Sequence, residues 1–468
     1  MRILKIVFSL NLLYIILIAA QVAAIIFLCL AIPSVIPLAA VYAGTFLLSA
    51  ITAAVLLTRG GGSEAKCAWF VLIAGLPVAG SVIYLLVTAK CKRWGILKVT
   101  TGTLGGVSAC AQNACGTCSA GYDSAIYFKD GATLFERLFY EISRAKLQVC
   151  VEFFIVSRGN ILDKFIDSLN KAKANGADIK ILIDGVGSAF KLRKKDVKRI
   201  RQTGAEVKVF RRITPVPRSR LSFRDHRKIV TVDGKVAFTG GINLADEYAN
   251  IKSPYGFWKD TGVAIFGSAA KIFEGMFFAM WNGSEERHFE SSGKYFCLPY
   301  CNSPPEGFCE ELYVHKISAA KERVHIMTPY FCVSEKLAGA LKFTAMRGVD
   351  VKVILPHVPD KRYAFELSKA CAHSLEPSGV QFYEFTPGFM HAKAVICDNE
   401  VFLGSYNFDF RSMRLNYECG VMLNGIICDE VELDFLDCLS VSQPLTDGKI
   451  SPFKRFSRFI MRLFAPLI

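Results

Sequence analysis

His226-Arg227-Lys228-Ile229-Val230-Thr231-Val232-Asp233 and His391-Ala392-Lys393-Ala394-Val395-Ile396-Cys397-Asp398 share one pattern, His-x-Lys-x4-Asp. The 468-residue chain has only seven histidines, so two in the same pattern indicate a duplication. Each copy leads into a small-residue turn ending in Asn: Gly240-Gly241-Ile242-Asn243 and Gly404-Ser405-Tyr406-Asn407. From motif Asp to Asn is ten residues in the first copy and nine in the second. A half-site of His, Lys and Asn present twice predicts one composite site, and its residue types point to a phosphate.

The flanking sequence repeats in the same order. Val151-Glu152-Phe153-Phe154-Ile155-Val156 is an apolar strand, followed by helical spacing through Ile161, Phe165, Leu169 and Ala172, then Gly176-Ala177-Asp178-Ile179-Lys180-Ile181-Leu182-Ile183-Asp184. The later copy runs Val324-His325-Ile326-Met327-Thr328-Pro329-Tyr330-Phe331, a helix, then Gly348-Val349-Asp350-Val351-Lys352-Val353-Ile354-Leu355-Pro356. Strand–helix–strand units of this length predict an α/β fold. The expectation is two similar lobes, at 123–290 and 291–450, each a mostly parallel sheet with flanking helices.

The chemistry follows from the residue types. A neutral His is a nucleophile that can form a covalent intermediate, and a second His can pass a proton to the leaving alkoxide and take one from the incoming alcohol. Lys228 and Lys393 would place ammonium donors on phosphate oxygens, and Asn243 and Asn407 would add neutral donors. On a strand, His and Lys two apart share a face. Asp233 and Asp398, five residues past the Lys, are expected to hold the Lys or a nearby turn. Asp260 and Glu418 are candidates to bind the far nitrogen of a His and fix its tautomer. Gly241 and Ser405 in the two turns are counted as supporting positions. A lone His in a strand is more often a hydrogen-bonded core residue, and that reading is kept for His288, His315, His325, His357 and His373. It is weak for the duplicated set, since a structural role would not require the same residue types twice. No carboxylate or His cluster lies near either motif, so no metal and no cofactor are expected.

The N-terminal part reads as a membrane anchor over 1–94. Residues 6–58 contain no charged side chain, and a span needs about 20 apolar residues. Pro33 and Pro37 divide this stretch, and Cys67–Ala89 is a third apolar run. Three transmembrane helices are expected, at about 6–32, 36–58 and 67–89, with a linker over 95–122. The three runs exclude a cleaved signal peptide. Flanking cations number four on each side, so they do not set orientation.

The net charge of +15 in a chain that is 52% hydrophobic favours an anionic membrane over nucleic acid as partner. Residues 191–228 hold fifteen Lys or Arg against three acids and lead into His226, which suggests an anionic substrate surface. Thirteen of the sixteen cysteines lie beyond the N-terminal region and fit a reducing compartment, hence a site at the cytoplasmic face. Cys110, Cys115 and Cys118 form C-x4-C-x2-C, too short a match to assign a cluster. In the tail, 451–468, Ser451-Pro452 reads as a helix start. Phe453, Phe456, Phe459, Ile460, Leu463 and Phe464 alternate with Lys454, Arg455, Arg458 and Arg462, predicting a basic amphipathic helix at the bilayer interface. The sequence carries no signal of oligomeric state.

The paired His-x-Lys-x4-Asp segments resemble the phospholipase D superfamily. Asn243 within Phe238-Thr239-Gly240-Gly241-Ile242-Asn243-Leu244-Ala245-Asp246-Glu247-Tyr248, then Thr328-Pro329-Tyr330-Phe331, and Gly404-Ser405-Tyr406-Asn407-Phe408-Asp409-Phe410-Arg411-Ser412, are similar to the bacterial cardiolipin synthase branch. Leu76-Pro77-Val78-Ala79-Gly80 and the C-terminal Arg462-Leu463-Phe464-Ala465-Pro466-Leu467-Ile468 also fit it. The similarity covers nearly everything from about residue 65. It implies transfer of a phosphatidyl group from one phosphatidylglycerol to another through a phosphohistidine, giving cardiolipin and glycerol. By analogy His226 would be the nucleophile and His391 the general acid and base, although the sequence treats the two symmetrically. The nearest alternatives are a hydrolase or a transphosphatidylase using another alcohol. The family commonly has two N-terminal spans, and the insert around 110–118 has no recognised counterpart.

Overall fold

Two large sheets carry the two copies of the motif in the computed structural model. Residues 21, 23, 35–59, 62–88, 94–101, 119–211, 223–303, 308–446 and 450–467 are described. They fall into two compact units: the described parts of Met1–Lys92 with those of Phe459–Ile468, and Arg93–Arg212 with Phe223–Arg458.

In the first unit, α1 (Val35–Thr58) matches the expected second span, and its Ala39–Thr58 segment is long and apolar enough to cross a membrane. It is the one such helix among the described residues; the expected span at 6–32 lies outside them, apart from residues 21 and 23. The apolar run at 67–89 differs from expectation. It is broken into α2 (Ser63–Gly75) and α3 (Pro77–Thr88), each too short to span. Pro77 has no N–H and its ring clashes with the carbonyl four residues back, so a helix cannot run through it. Trp69 packs edge-on against Tyr84, ring centres 5.3 Å apart, and Gly80 leaves no room for a Cβ against the Leu72 carbonyl.

The second unit begins with strands where a linker was expected. β1 (Ile96–Thr101) pairs in parallel with a later strand at Ser284–Phe289, and β2 (Ala120–Tyr122) joins the sheet of the second copy. Residues 102–118, with the three clustered cysteines, lie outside the described residues.

The first copy runs β3 (Ser124–Phe128), α4 (Gly131–Ser143), β4 (Gln148–Phe153), α5 (Asn160–Ala174), β5 (Asp178–Asp184), α6 (Lys194–Gln202), β6 (Glu206–Phe210), β7 (Lys228–Val232), β8 (Val236–Gly240), β9 (Phe257–Lys259), β10 (Gly262–Phe266) and α7 (Ala270–Asn282). Helix α5 forms where Ile161, Leu162, Phe165, Ile166, Leu169 and Ala172 recur at helical spacing, and that stripe is buried. It ends at Asn175-Gly176, where Gly176 adopts φ +95°. The sheet order is β3-β10-β8-β7-β4-β5-β6.

The second copy runs β11 (Ser284–Phe289), β12 (Tyr295–Asn302), α8 (Phe308–Ala319), β13 (Arg323–Met327), β14 (Phe331–Cys332), α9 (Glu335–Met346), β15 (Asp350–Pro356), α10 (Arg362–His373), β16 (Gln381–Phe385), β17 (Gly388–Met390), β18 (Ala394–Cys397), β19 (Glu400–Gly404), β20 (Phe408–Asp409), α11 (Phe410–Arg414), β21 (Glu418–Asn424), α12 (Ile426–Ser440), β22 (Ser442–Pro444) and α13 (Pro452–Phe464). Its nine-stranded sheet has the order β2-β12-β21-β19-β18-β13-β15-β16-β22.

The sheets are mixed, which corrects the expectation of mostly parallel ones. Within the two large sheets only β4-β5-β6 and β13-β15-β16 run parallel, as the strand–helix–strand units require. The motif strands enter antiparallel, because each turns straight back on itself. β7 reaches β8 through Asp233-Gly234, both at positive φ (54° and 62°), a tight hairpin turn. β18 reaches β19 through a turn at Asp398, φ 51°.

One buried core contains residues of both copies: Ile229, Phe273 and Met276 pack in it with Ile396, Val421 and Phe435. Burying each such side chain stabilises by about 1.5–3 kcal/mol, so neither copy can lose its partner cheaply. Backbone bonds also join the copies beside each motif. β9 pairs with β17, and His391 N–H donates to the Lys259 carbonyl (2.7 Å). Asp225 bridges Tyr417, and His226 N–H donates to the Tyr417 carbonyl (2.9 Å).

Candidate active site

Each motif His is gripped by a carboxylate from the other copy. His226 Nδ1 lies 2.9 Å from both oxygens of Glu418 at the start of β21. His391 Nδ1 lies 2.6 Å from Asp260 Oδ2, next to β9. An N–H donated to a carboxylate fixes the tautomer and leaves Nε2 with its lone pair. Further contacts hold the carboxylates: Glu418 accepts from Ser412 Oγ (2.8 Å) and Asn416 Nδ2 (3.1 Å), Asp260 from the Thr261 N–H (2.8 Å). Asp260 and Glu418 were expected to play this part, but not crossed between the copies.

Alternation along the extended chain puts Arg224, His226 and Lys228 on one face, Asp225 and Arg227 on the other. Lys228 Nζ donates to the His226 carbonyl (2.5 Å). Lys393 Nζ donates to the His391 carbonyl and stands 2.9 and 3.2 Å from the two ring nitrogens of His391. Lys228, His391 and Lys393 are buried and His226 nearly so, its side chain 12% exposed, and burial disfavours charge. Burial brings the pKa of His226 down to about 4, against the pull of Glu418. Burial and the Lys393 ammonium bring His391 down to about 3. Burial lowers Lys228 to about 8 and Lys393 to about 7. The carboxyls of Glu418 and Asp260 are held below their ordinary values despite burial, by the histidine ring each one holds and by the nearby Lys228 and Lys393 ammonium groups. The centre therefore offers two neutral imidazoles and two lysines whose positive charge a bound anion would hold in place.

The turn residues pack around this centre. A Cβ on Gly241 would collide with Asp260 Oδ1. Ser405 Oγ accepts from the Cys419 N–H (3.0 Å). Asn243 is fully buried; its Oδ1 accepts from Ile155 N–H (3.0 Å) and its Nδ2 donates to the Tyr248 hydroxyl (2.7 Å). Asn407 Oδ1 is buried with no hydrogen-bond partner. Asp233 and Asp398 are not brought to the centre. They sit at the far ends of β7 and β18, about 17 Å along the strand from the Lys. There Asp233 accepts from the N–H groups of Lys146, Leu147 and Gln148, and Asp398 from those of Lys321, Glu322 and Arg323. They hold a turn, as one of the two expected roles had it, and not the Lys.

Several buried ions were not singled out in the sequence. Arg227 pairs with Glu152 (3.0 Å) and Asp225 (3.7 Å) beneath the site. Arg224 pairs with Asp184 (2.7 Å), and Lys259 with Asp434 (2.6 Å). Glu152 interrupts an apolar strand, and a buried charge needs a partner, which was the available signal. Arg224 and Arg227 were hidden in the basic run, which is not one surface: both are buried, Lys191 pairs with Glu247 and Arg199 with Asp163, and residues 212–222 lie outside the described ones. Among the described residues no group of three or more His, Cys, Asp or Glu is placed to hold a metal ion.

Two crossed His–carboxylate pairs with two buried lysines define a centre suited to phosphoryl transfer. The profile of the family described as "Cardiolipin synthase, PLD-like domain" matches residues 138–274 and 313–437, more than half of the chain. The chain belongs to this family. It is 32% identical over 369 residues to a cardiolipin synthase of Clostridium perfringens (strain SM101 / Type A), covering 74% of this chain and 77% of that one. It is 27% identical over 478 residues to a cardiolipin synthase of Staphylococcus aureus (strain Mu50 / ATCC 700699), covering 92% and 96%. Among solved structures, a phosphatidylserine synthase of Haemophilus influenzae superposes with a TM-score of 0.58 at 14% identity, over 75% of this chain and 95% of that one, a likeness of fold.

Proposed function

We propose that this chain is a membrane-bound cardiolipin synthase that moves a phosphatidyl group from one phosphatidylglycerol to the terminal hydroxyl of another and releases glycerol. The observation that carries this is the crossed pair of carboxylate-held, neutral histidines between two buried lysines, in a chain of the cardiolipin synthase family. His226 Nε2 attacks phosphorus: an N–P bond forms, the P–O bond to glycerol breaks, and His391 gives the leaving alkoxide a proton. The acceptor hydroxyl then attacks, His391 takes its proton, an O–P bond forms and the N–P bond breaks. No hydrogen bond among the described residues engages His226 Nε2, which suits a nucleophile. The ammonium beside His391 makes its imidazolium a stronger acid. The bound phosphodiester supplies the negative charge that raises His391 enough to carry the proton. Lys228, Lys393 and Asn407 are assigned to the phosphate oxygens, Asn243 to the loop that shapes the site.

The N-terminal region to residue 94 is read as the anchor, with the apolar runs at 6–32 and 36–58 as spans and the α2–α3 pair embedded beside them. The catalytic unit is placed at the cytoplasmic face. Helix α13 supports a bilayer contact. Lys454 and Arg458 reach back to Glu366 (3.0 and 2.8 Å), leaving Phe453 and Phe456 81% and 63% exposed, with the apolar side turned outward.

The test is lipid product analysis of the detergent-purified chain given phosphatidylglycerol alone. Cardiolipin with free glycerol is the expected product. Phosphatidic acid in its place would make water the acceptor and sink the transferase reading.

A further inference from the structure

The environment of His226 contains an ionic group with no counterpart around His391. Two residues before His226 stands Arg224; two before His391 stands Phe389. Four residues after Asn407 stands Arg411; four after Asn243 stands Glu247, which is already paired with Lys191. The duplication therefore diverged to place two arginines on one side only.

Arg224 is 3% exposed. Its Nε and Nη2 are spent on Asp184 (3.1 and 2.7 Å), and Nη2 also reaches the Arg211 carbonyl (3.0 Å). Its Nη1 is buried with no hydrogen-bond partner. A buried guanidinium donor left unmade is costly, and an anion is the partner it suits best. Arg411 lies on α11, whose Ser412 hydroxyl bonds the carboxylate that holds His226. Burial, and the like charge of Arg224 nearby, lower the pKa of Arg411 against the pull of Asp409. The two backbones meet at neighbouring residues: the Arg411 carbonyl accepts from the Asn416 N–H (2.9 Å) and the Arg224 carbonyl from the Tyr417 N–H (2.8 Å). Two guanidinium groups that start so close gain from a shared anion.

We propose that Arg224 and Arg411, one from each copy of the repeat, form a second anion subsite that holds the phosphodiester of the acceptor lipid. This rests on reading the centre as phosphatidyl transfer between two lipids. Alternation along the extended chain before β7 puts Arg224 and His226 on one face about 7 Å apart, so a phosphate held at Arg224 would lie to the side of the reacting phosphorus. The arm between the attacking hydroxyl and the acceptor's own phosphorus is three carbons and an ester oxygen. It bridges a separation of that order. Water and neutral alcohols carry no second phosphate and gain nothing from the subsite, so it selects the acceptor.

Two acceptors compared in one preparation test this. Cardiolipin formation from phosphatidylglycerol uses the subsite; exchange of labelled glycerol into phosphatidylglycerol does not. Arg411→Gln is expected to lower the ratio of cardiolipin formation to glycerol exchange at least tenfold and to raise the KM for acceptor lipid. Arg411→Lys should lower it less, since the charge stays and the fork is lost. Arg224→Lys should act in the same direction. Because each ratio is taken within one sample, loss of folded protein cancels. Parallel loss of both reactions, or an unchanged ratio, would overturn the subsite. A wild-type enzyme that exchanges glycerol or hydrolyses lipid but makes no cardiolipin would instead overturn the reading of the reaction.

Discussion

The half-site around His226 is ionic, and the half-site around His391 is aromatic. Among the described residues Phe154 is the one aromatic ring against His226 (4.9 Å), with Arg224 and Arg227 close by in the chain. The rings of Tyr248, Trp258 and Phe389 surround His391 at 5.3, 5.0 and 5.5 Å. Yet both histidines are largely shielded from solvent, carboxylate-bound and neutral. Duplication kept what each imidazole needs for the chemistry and let its surroundings drift. The drift has an electrostatic consequence. After burial, the next influence on His226 is Glu418, which raises its pKa, whereas on His391 it is Lys393, which lowers it. His391 is therefore the stronger acid once protonated, and the two copies are suited to different steps.

The largest effect that probes this difference is removal of either imidazole. His226→Ala and His391→Ala should each cost about 10³-fold or more in turnover of phosphatidylglycerol. A donor with p-nitrophenol as leaving group separates them, because a weakly basic leaving group needs no proton. His391→Ala should recover formation of the labelled phosphatidyl-enzyme with that donor, and His226→Ala should not. The opposite pattern would exchange the two roles.

The chemistry was legible because it was written twice. The motif residues stand out by residue type and spacing, and Asp260 and Glu418 could be named only as candidates to hold a histidine. That Glu418 serves His226 and Asp260 serves His391 was not legible, since pairing across copies is a property of how the sheets face, which no local pattern encodes. The mixed sheets were missed because Asp233-Gly234, a hairpin signal, was read only as the end of a motif. The break at Pro77 was passed over because the residues on both sides are apolar, and composition outweighed one proline. Arg224 and Arg227 were read as part of a basic run facing an anionic substrate surface. Their acidic partners, Asp184 and Glu152, lie far back in the chain, so only the fold brings them together.

An intermediate effect concerns the lysines. Burial lowers Lys393 to about 7 and Lys228 to about 8, and the charge of Lys228 adds to the lowering of Lys393. Above those values the ammonium groups that meet the phosphate become neutral amines. The kcat/KM of the free enzyme should fall on the alkaline side, first near pH 7 and more steeply past 8, by about tenfold per unit for each proton lost. On the acid side it should fall below about pH 4, where His226 charges and can no longer attack. The Lys393 half-site should fail first, so Lys393→Met should remove the earlier part of the limb while lowering the plateau. A wild-type profile flat through pH 9 would show that the lysines keep their protons and that burial weighs less than the carboxylates around them.

The smallest effect belongs to the motif aspartates, where the copies are most alike. Asp233 and Asp398 each accept three backbone N–H groups while holding a left-handed turn (φ 54° and 51°). Alanine at either place loses those bonds and strains the backbone, costing about 1–3 kcal/mol of stability. Asn tolerates the left-handed turn and keeps one acceptor oxygen, so it should cost less. Both carboxyls sit below their ordinary pKa; burial pushes them up, but the backbone N–H bonds outweigh it. Their stabilisation is therefore present above the unfolded value of about 3.9 and lost as pH falls through the folded one. The melting temperature of the wild type should converge on that of Asp233→Ala or Asp398→Ala as the pH is brought down to that range. Because the turns are far from the histidines, kcat per folded molecule should hold within about twofold. A large fall in kcat with the melting temperature unchanged would return these two aspartates to the reacting centre.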